Sequence, residues 1–132
     1  MLAASQGILM LAVELNRTHA MNPQWPGHAR FHLVWQNLTT ALFSVLVIAL
    51  LWWPGPFRTL RFFLAASIVA VPLLAFSAAA FCRVLYGGTM ADANGVPPVR
   101  LSVGGRAWLF DGNTLAVTLG CLTLLISVVT YQ

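Results

Sequence analysis

The sequence predicts an all-α integral membrane protein, a bundle of four transmembrane helices with a short β-hairpin between the third and fourth. Three observations predict it. Of the 132 residues, 59% are hydrophobic and 8% charged, where a soluble domain carries about 25% charged residues; the mean hydropathy is +0.81. Such a chain cannot furnish a polar surface, so lipid is the solvent that suits it. Four apolar segments separated by polar, Pro and Gly breaks approach the ~20 residues a bilayer span requires. Finally, alternating residues flank Gly104-Gly105, a hairpin turn signal. The length fits a single domain over residues 1–132.

The first segment runs from Met1 to about Ala20, "MLAASQGILMLAVELNRTHA". No basic stretch of a secretory signal precedes it, so it is expected to be a retained helix. Its apolar part stops at Glu14, leaving Glu14, Asn16, Arg17 and His19 in the last turns. The second segment runs from about Pro26 to Trp53. Pro26 suits a helix start, where a missing N–H costs nothing. Trp52-Trp53 and then Pro54-Gly55-Pro56 mark an interface and a forced stop. The third runs from about Phe57 to Arg83, with Pro72 as an expected kink and many Ala and Ser for close helix packing. The hairpin core "VRLSVGGRAWLF" sets Leu101 opposite Trp108 and Val99 opposite Phe110, giving one apolar face that could cap the bundle end. The fourth helix runs from about Asn113 to Thr130, with Asp111 or Asn113 as its cap.

The charged residues are seven arginines, with no lysine, against Glu14, Asp92 and Asp111, for a net +4. That is too sparse for a nucleic-acid surface, so no nucleic-acid partner is expected; the partners are the lipid bilayer and a small lipophilic molecule. Connectivity of four spans puts the first loop and the hairpin loop at one end, the mouth, and the Pro54–Leu60 loop at the other. Arg17, Arg30, Arg83, Arg100 and Arg106 belong to the mouth and Arg58 and Arg61 to the opposite loop, so the charge bias leaves the orientation open. Cys82 and Cys121 have no CxxC partner and read as free thiols.

"NPQWPGHARFHLVWQ" gathers the polar chemistry. At about 100° per residue, His28, His32, Trp35, Thr39 and Phe43 share one stripe of the second helix, with Gln36 on its flank. Two imidazoles at i and i+4 can chelate a metal, or one can bind while the other orients it. His32 lies a turn deeper than His28, and a deep histidine on a bundle-facing stripe is a functional candidate. The alternative is that both histidines are interfacial, in an aromatic belt with Trp25 and Trp35. His19 lies in the first loop and is the weaker candidate. Glu14, the only carboxylate within the apolar segments, either pairs with Arg17 at i+3 or faces the histidines as a general base or metal ligand. No P-loop, GxGxxG, GxSxG or HExxH is present.

"GILM" at Gly7–Met10 and "ARFH" at Ala29–His32 resemble the styrene oxide isomerases, small four-helix membrane proteins with A-R-A-H at the corresponding place. The resemblance implies that His32 is the axial ligand of haem b, whose ferric iron acts as a Lewis acid on an epoxide oxygen and rearranges the epoxide to an aldehyde. It also implies a homo-trimer with haem between subunits, and a bacterial inner membrane. Trp35 and Phe43 on the same stripe would then pack the porphyrin, Arg30 or Arg17 would reach a propionate, and His28 would sit at the rim. The family's asparagine six residues after the ligand falls on Leu38 here, with Asn37 beside it as the candidate; the family's helix-three tyrosine has no counterpart near Ser77 and Ala78. The four-helix layout is also similar to the sterol-isomerase-like proteins, which use acidic and histidine residues on lipophilic substrates. Three functions are thus carried forward: a haem-dependent epoxide isomerase, a cofactor-free Glu/His acid–base isomerase or cyclase, and a non-enzymatic subunit of a membrane complex.

Overall fold

The computed structural model describes residues 6–90 and 97–132. Met1–Ser5 of the first expected span lie outside the described residues. The elements are α1 (Gln6–Glu14), α2 (Gly27–Trp52), α3 (Arg58–Cys82), a 3-10 turn (Arg83–Tyr86), β1 (Val99–Val103), β2 (Arg106–Phe110) and α4 (Gly112–Val129). Among the described residues three helices, α2, the α3 segment and α4, are long and apolar enough to cross a membrane.

The helix boundaries follow from local chemistry. Pro26 is extended (φ −56°, ψ 144°) and its carbonyl accepts from Arg30 N–H at 3.2 Å, so α2 starts at Gly27. At its far end Trp53 turns to ψ 123°, the conformation a residue before proline prefers. α3 begins after Phe57, a left-handed residue at φ 63°, and continues through Pro72. Asp111 caps α4, its Oδ1 accepting from Thr114 N–H at 2.8 Å. The hydroxyls of Thr39, Thr40, Ser67, Ser77, Thr118, Thr123, Ser127 and Thr130 each donate to the carbonyl four residues back. In apolar surroundings this removes the cost of a bare hydroxyl.

The helices pack in chain order, α1 on α2, α2 on α3 and α3 on α4. The shared core is small: Val47, Ala65, Val69, Leu73 and Val117. Gly7 of α1 lies against Thr40 and Ser44 of α2, where its N–H donates to Ser44 Oγ at 3.0 Å. Gly120 lets α4 close on Leu73. Tyr131, just beyond α4, stacks on Phe62 near the start of α3, with centroids 3.9 Å apart and planes at 12°. Neighbouring helices therefore run antiparallel. Cys82 and Cys121 are free and exposed.

Two expectations need correction. The first helix does not continue to Ala20 as a span: it ends at Glu14, and at about 1.5 Å per residue its nine described residues are too short to cross a bilayer. Asn16 ends it, because its Oδ1 accepts from both Thr18 N–H and Thr18 Oγ, local bonds that compete with the helical ladder. The hairpin has the expected register, Leu101 opposite Trp108 and Val99 opposite Phe110 around Gly104-Gly105. Its apolar face does not cap the bundle, however, since Val99, Leu101, Trp108 and Phe110 are all exposed. A two-stranded ribbon has no second layer of its own to bury a face.

The close approach at Gly7 yields a test. A Cβ there would overlap the Thr40 carbonyl, whereas a Cβ on Gly27 meets open space. Gly7→Ala should lower stability by about 1–3 kcal/mol, and Gly27→Ala should not lower it. Thermal denaturation of the two variants in detergent checks this; equal melting points would refute the α1–α2 contact.

Candidate functional site

The second residue of α2 is His28, and His32 follows one turn later. Their Nε2 atoms are 3.0 Å apart and their rings stand at 89° with centroids at 4.4 Å. One imidazole donates and the other accepts, roles set by the tautomers. The Trp35 ring lies 5.8 Å from His32, tilted by 38°. Phe31 is 5.9 Å from His32, edge-on, and 6.3 Å from Trp35. The four rings form one continuous cluster.

That cluster faces outward, which corrects the expectation of a bundle-facing stripe. Phe31 is 62% and Trp35 58% exposed, and His28, His32 and Phe43 are exposed as well. The face of α2 that packs inward carries Asn37, Ala41, Ser44 and Val47. His32 stands about 120° or more around the helix from Asn37, Ala41 and Ser44. Small residues admit the neighbouring backbones, so they win the interior. Large aromatics pay nothing for facing outward when the surroundings are lipid.

Asn37 is buried, and its Nδ2 donates to the Leu33 carbonyl at 2.9 Å on its own helix. It is not brought to the histidine pair. Arg30 is anchored to the loop by one bond, its Nε donating to the Trp25 carbonyl at 3.1 Å.

Glu14 belongs to a separate centre. Its Oε2 lies 3.7 Å from His19 Nε2, with the side chains 12% and 18% exposed respectively. Oε2 is buried and has no hydrogen-bond partner among the described residues. His19 Nδ1 contacts Thr18 Oγ at 2.8 Å, and the Trp25 ring closes edge-on at 5.9 Å. Asn22 staples the loop from within, giving a bond to the Thr18 carbonyl and accepting one from Gln24 N–H. Neither expected arrangement of Glu14 is found. Arg17 is exposed, because the helix that would have placed it at i+3 ends at Glu14. The partner of Glu14 is His19, not His28 or His32. The only signal for His19 was its position five residues beyond Glu14, across a turn seeded by Asn16.

No group of three or more His, Cys, Asp or Glu residues arranged to hold a metal ion is found among the described residues. A haem needs only one axial imidazole from the chain. His32 meets that requirement in part: it is exposed, with the Phe31 and Trp35 rings beside it for a flat macrocycle. One change is required, since His32 Nε2 is engaged with His28 Nε2. Comparison with protein-family models, with curated proteins and with solved structures finds no match to this chain.

The Glu14–His19 contact should be energetically coupled. In a double-mutant cycle of Glu14→Gln and His19→Gln, a coupling of about 1 kcal/mol is expected for touching, largely buried groups. Strictly additive stabilities would show that the two side chains do not interact.

Proposed function

We propose that this chain is a membrane-integral isomerase acting on a small lipophilic, epoxide-like substrate, with His32 as the ligand of a haem b iron. The observation that carries the reading is an imidazole pair set among aromatic rings on an outward, otherwise apolar helix face. A lipophilic substrate reaches such a face directly from the bilayer. When bound, the haem iron supplies Lewis acidity toward a ring oxygen without an external reductant. His32 would hold the group, its ring nitrogen first parting from His28. Trp35 and Phe31 would exclude water beside it. His28, released, presents a ring nitrogen that can hold or move a proton beside the substrate. Because the face is unpartnered in one chain, a second copy in a homo-trimer would enclose the group.

A second reading rests on a different observation, the buried and unbonded Glu14 Oε2 beside His19. Here the carboxylate and the imidazole exchange protons with a lipophilic substrate, with no cofactor. In a third, the chain is a non-enzymatic subunit.

Absorption spectroscopy on the chain purified from haem-supplied cells separates them. A Soret band that His32→Ala abolishes, with the helical circular dichroism unchanged, is the expected result. A colourless wild type rejects the haem reading. Glu14→Gln then decides the second: loss of turnover of a lipophilic substrate supports it, and full turnover leaves neither polar centre with a catalytic part.

A further inference from the structure

At the end of the bundle away from the histidines, the last turns of α2, the first turns of α3 and the residue after α4 enclose a cavity of about 240 Å³. Leu50, Leu51, Arg58, Arg61, Phe62 and Tyr131 line it. Drug-sized ligands occupy about 300–1,000 Å³, so this space suits a smaller group. The polar side chains that line it are the two guanidiniums and the Tyr131 phenol, set among Leu50, Leu51 and Phe62.

Arg61 is held in place by one bond, Nη2 to the Gly55 carbonyl at 3.0 Å. Its Nε is buried and has no hydrogen-bond partner among the described residues. A buried donor on a permanent cation is costly unless an acceptor arrives. Arg58 lies three residues earlier, on the same face of the first turn. Tyr131 stacks on Phe62 and its hydroxyl donates to Thr59 Oγ at 3.4 Å, which closes the far wall. None of the three acidic residues of the sequence falls in segments 50–62 or 130–132. The two guanidiniums therefore meet no acidic side chain from the chain segments that build this end.

We propose that this cavity binds a phosphate-bearing anion, gripped by Arg58 and Arg61, with the Phe62–Tyr131 stack against its organic part. The chemistry is a tetrahedral oxyanion accepting from arginine forks. A phospholipid headgroup and a free phosphate compound both offer it. The inference rests on the membrane reading of α2, α3 and α4 and is independent of the haem.

The test uses the full chain in nanodiscs of phosphatidylcholine doped with phosphatidylglycerol, followed by native mass spectrometry after detergent extraction. Wild type should retain phosphatidylglycerol, and Arg58→Gln/Arg61→Gln should retain roughly tenfold less, the loss expected for at least one charge-assisted hydrogen bond. Arg58→Lys/Arg61→Lys, which keeps the charge but not the fork, should fall between. Arg100→Gln/Arg106→Gln removes the same charge from the hairpin and should match wild type. In a second arm, inorganic phosphate is titrated onto the phosphatidylglycerol-loaded chain. Displacement of phosphatidylglycerol by phosphate identifies a soluble anion as the source; phosphatidylglycerol retained against phosphate identifies the lipid. Retention by the Arg58→Gln/Arg61→Gln variant equal to wild type overturns the proposal, as does an equal loss in the hairpin variant, which reduces the effect to net charge. A wild type that does not enter nanodiscs sinks the membrane reading instead, and phosphate binding that survives Arg58→Gln/Arg61→Gln then overturns the cavity.

Discussion

The contact between Gly7 and the Thr40–Ser44 turn of α2 governs the arrangement of this molecule. It exists because Gly7 has no Cβ and its N–H finds Ser44 Oγ. Once α1 is seated there, it covers the small-residue face of α2, and α3 takes the adjoining surface through Val47 and Val69. The remaining face of α2, with His28, Phe31, His32 and Trp35, is left exposed among the described residues. Where α1 stops, and hence which histidine Glu14 meets, is set by the turn bonds of Asn16, Thr18 and Asn22. The polar groups are thus separated into two centres.

In water this arrangement would be untenable. Among the described residues six hydrophobic side chains are buried, and dozens of large ones are exposed. In hydrocarbon the balance differs. Apolar exposure is neutral, while any bare polar group is penalised. The chain meets that rule closely: its Ser and Thr hydroxyls turn back onto their own helices, Asn37 does the same, and His28 and His32 satisfy each other. Against that background two buried side-chain atoms without a hydrogen-bond partner among the described residues, Glu14 Oε2 and Arg61 Nε, stand out. One lies at each end of the bundle, each beside a charged or titratable neighbour.

Function is read from these exceptions and not from the fold. A helical bundle of this kind hosts many activities, so the weight falls on what the side chains offer. The outward ring cluster offers a nitrogen ligand to something reached through lipid. The Glu14–His19 pair offers proton transfer in a loop stapled by Asn16 and Asn22. The Arg58–Arg61 cavity offers donors to an anion.

The sequence by itself determined the helices and the hairpin. Pro26, Pro54 and Asp111 act within a few residues, so the ends of α2 and the start of α4 were legible. The register around Gly104-Gly105 was legible for the same reason, since a tight turn between alternating strands sets it locally. The i, i+4 spacing likewise determined that His28 and His32 would meet. What only the tertiary structure decided was which way each helix faces and where α1 stops. In an apolar chain hydrophobic periodicity carries little directional information, because lipid and core reward the same side chains. Small residues choose the interior instead, and only the packed backbones reveal which small residues are used. The pairing of Glu14 with His19 depended on a turn held by Asn16, Thr18 and Asn22 together, a set of side-chain bonds that has no periodicity to read.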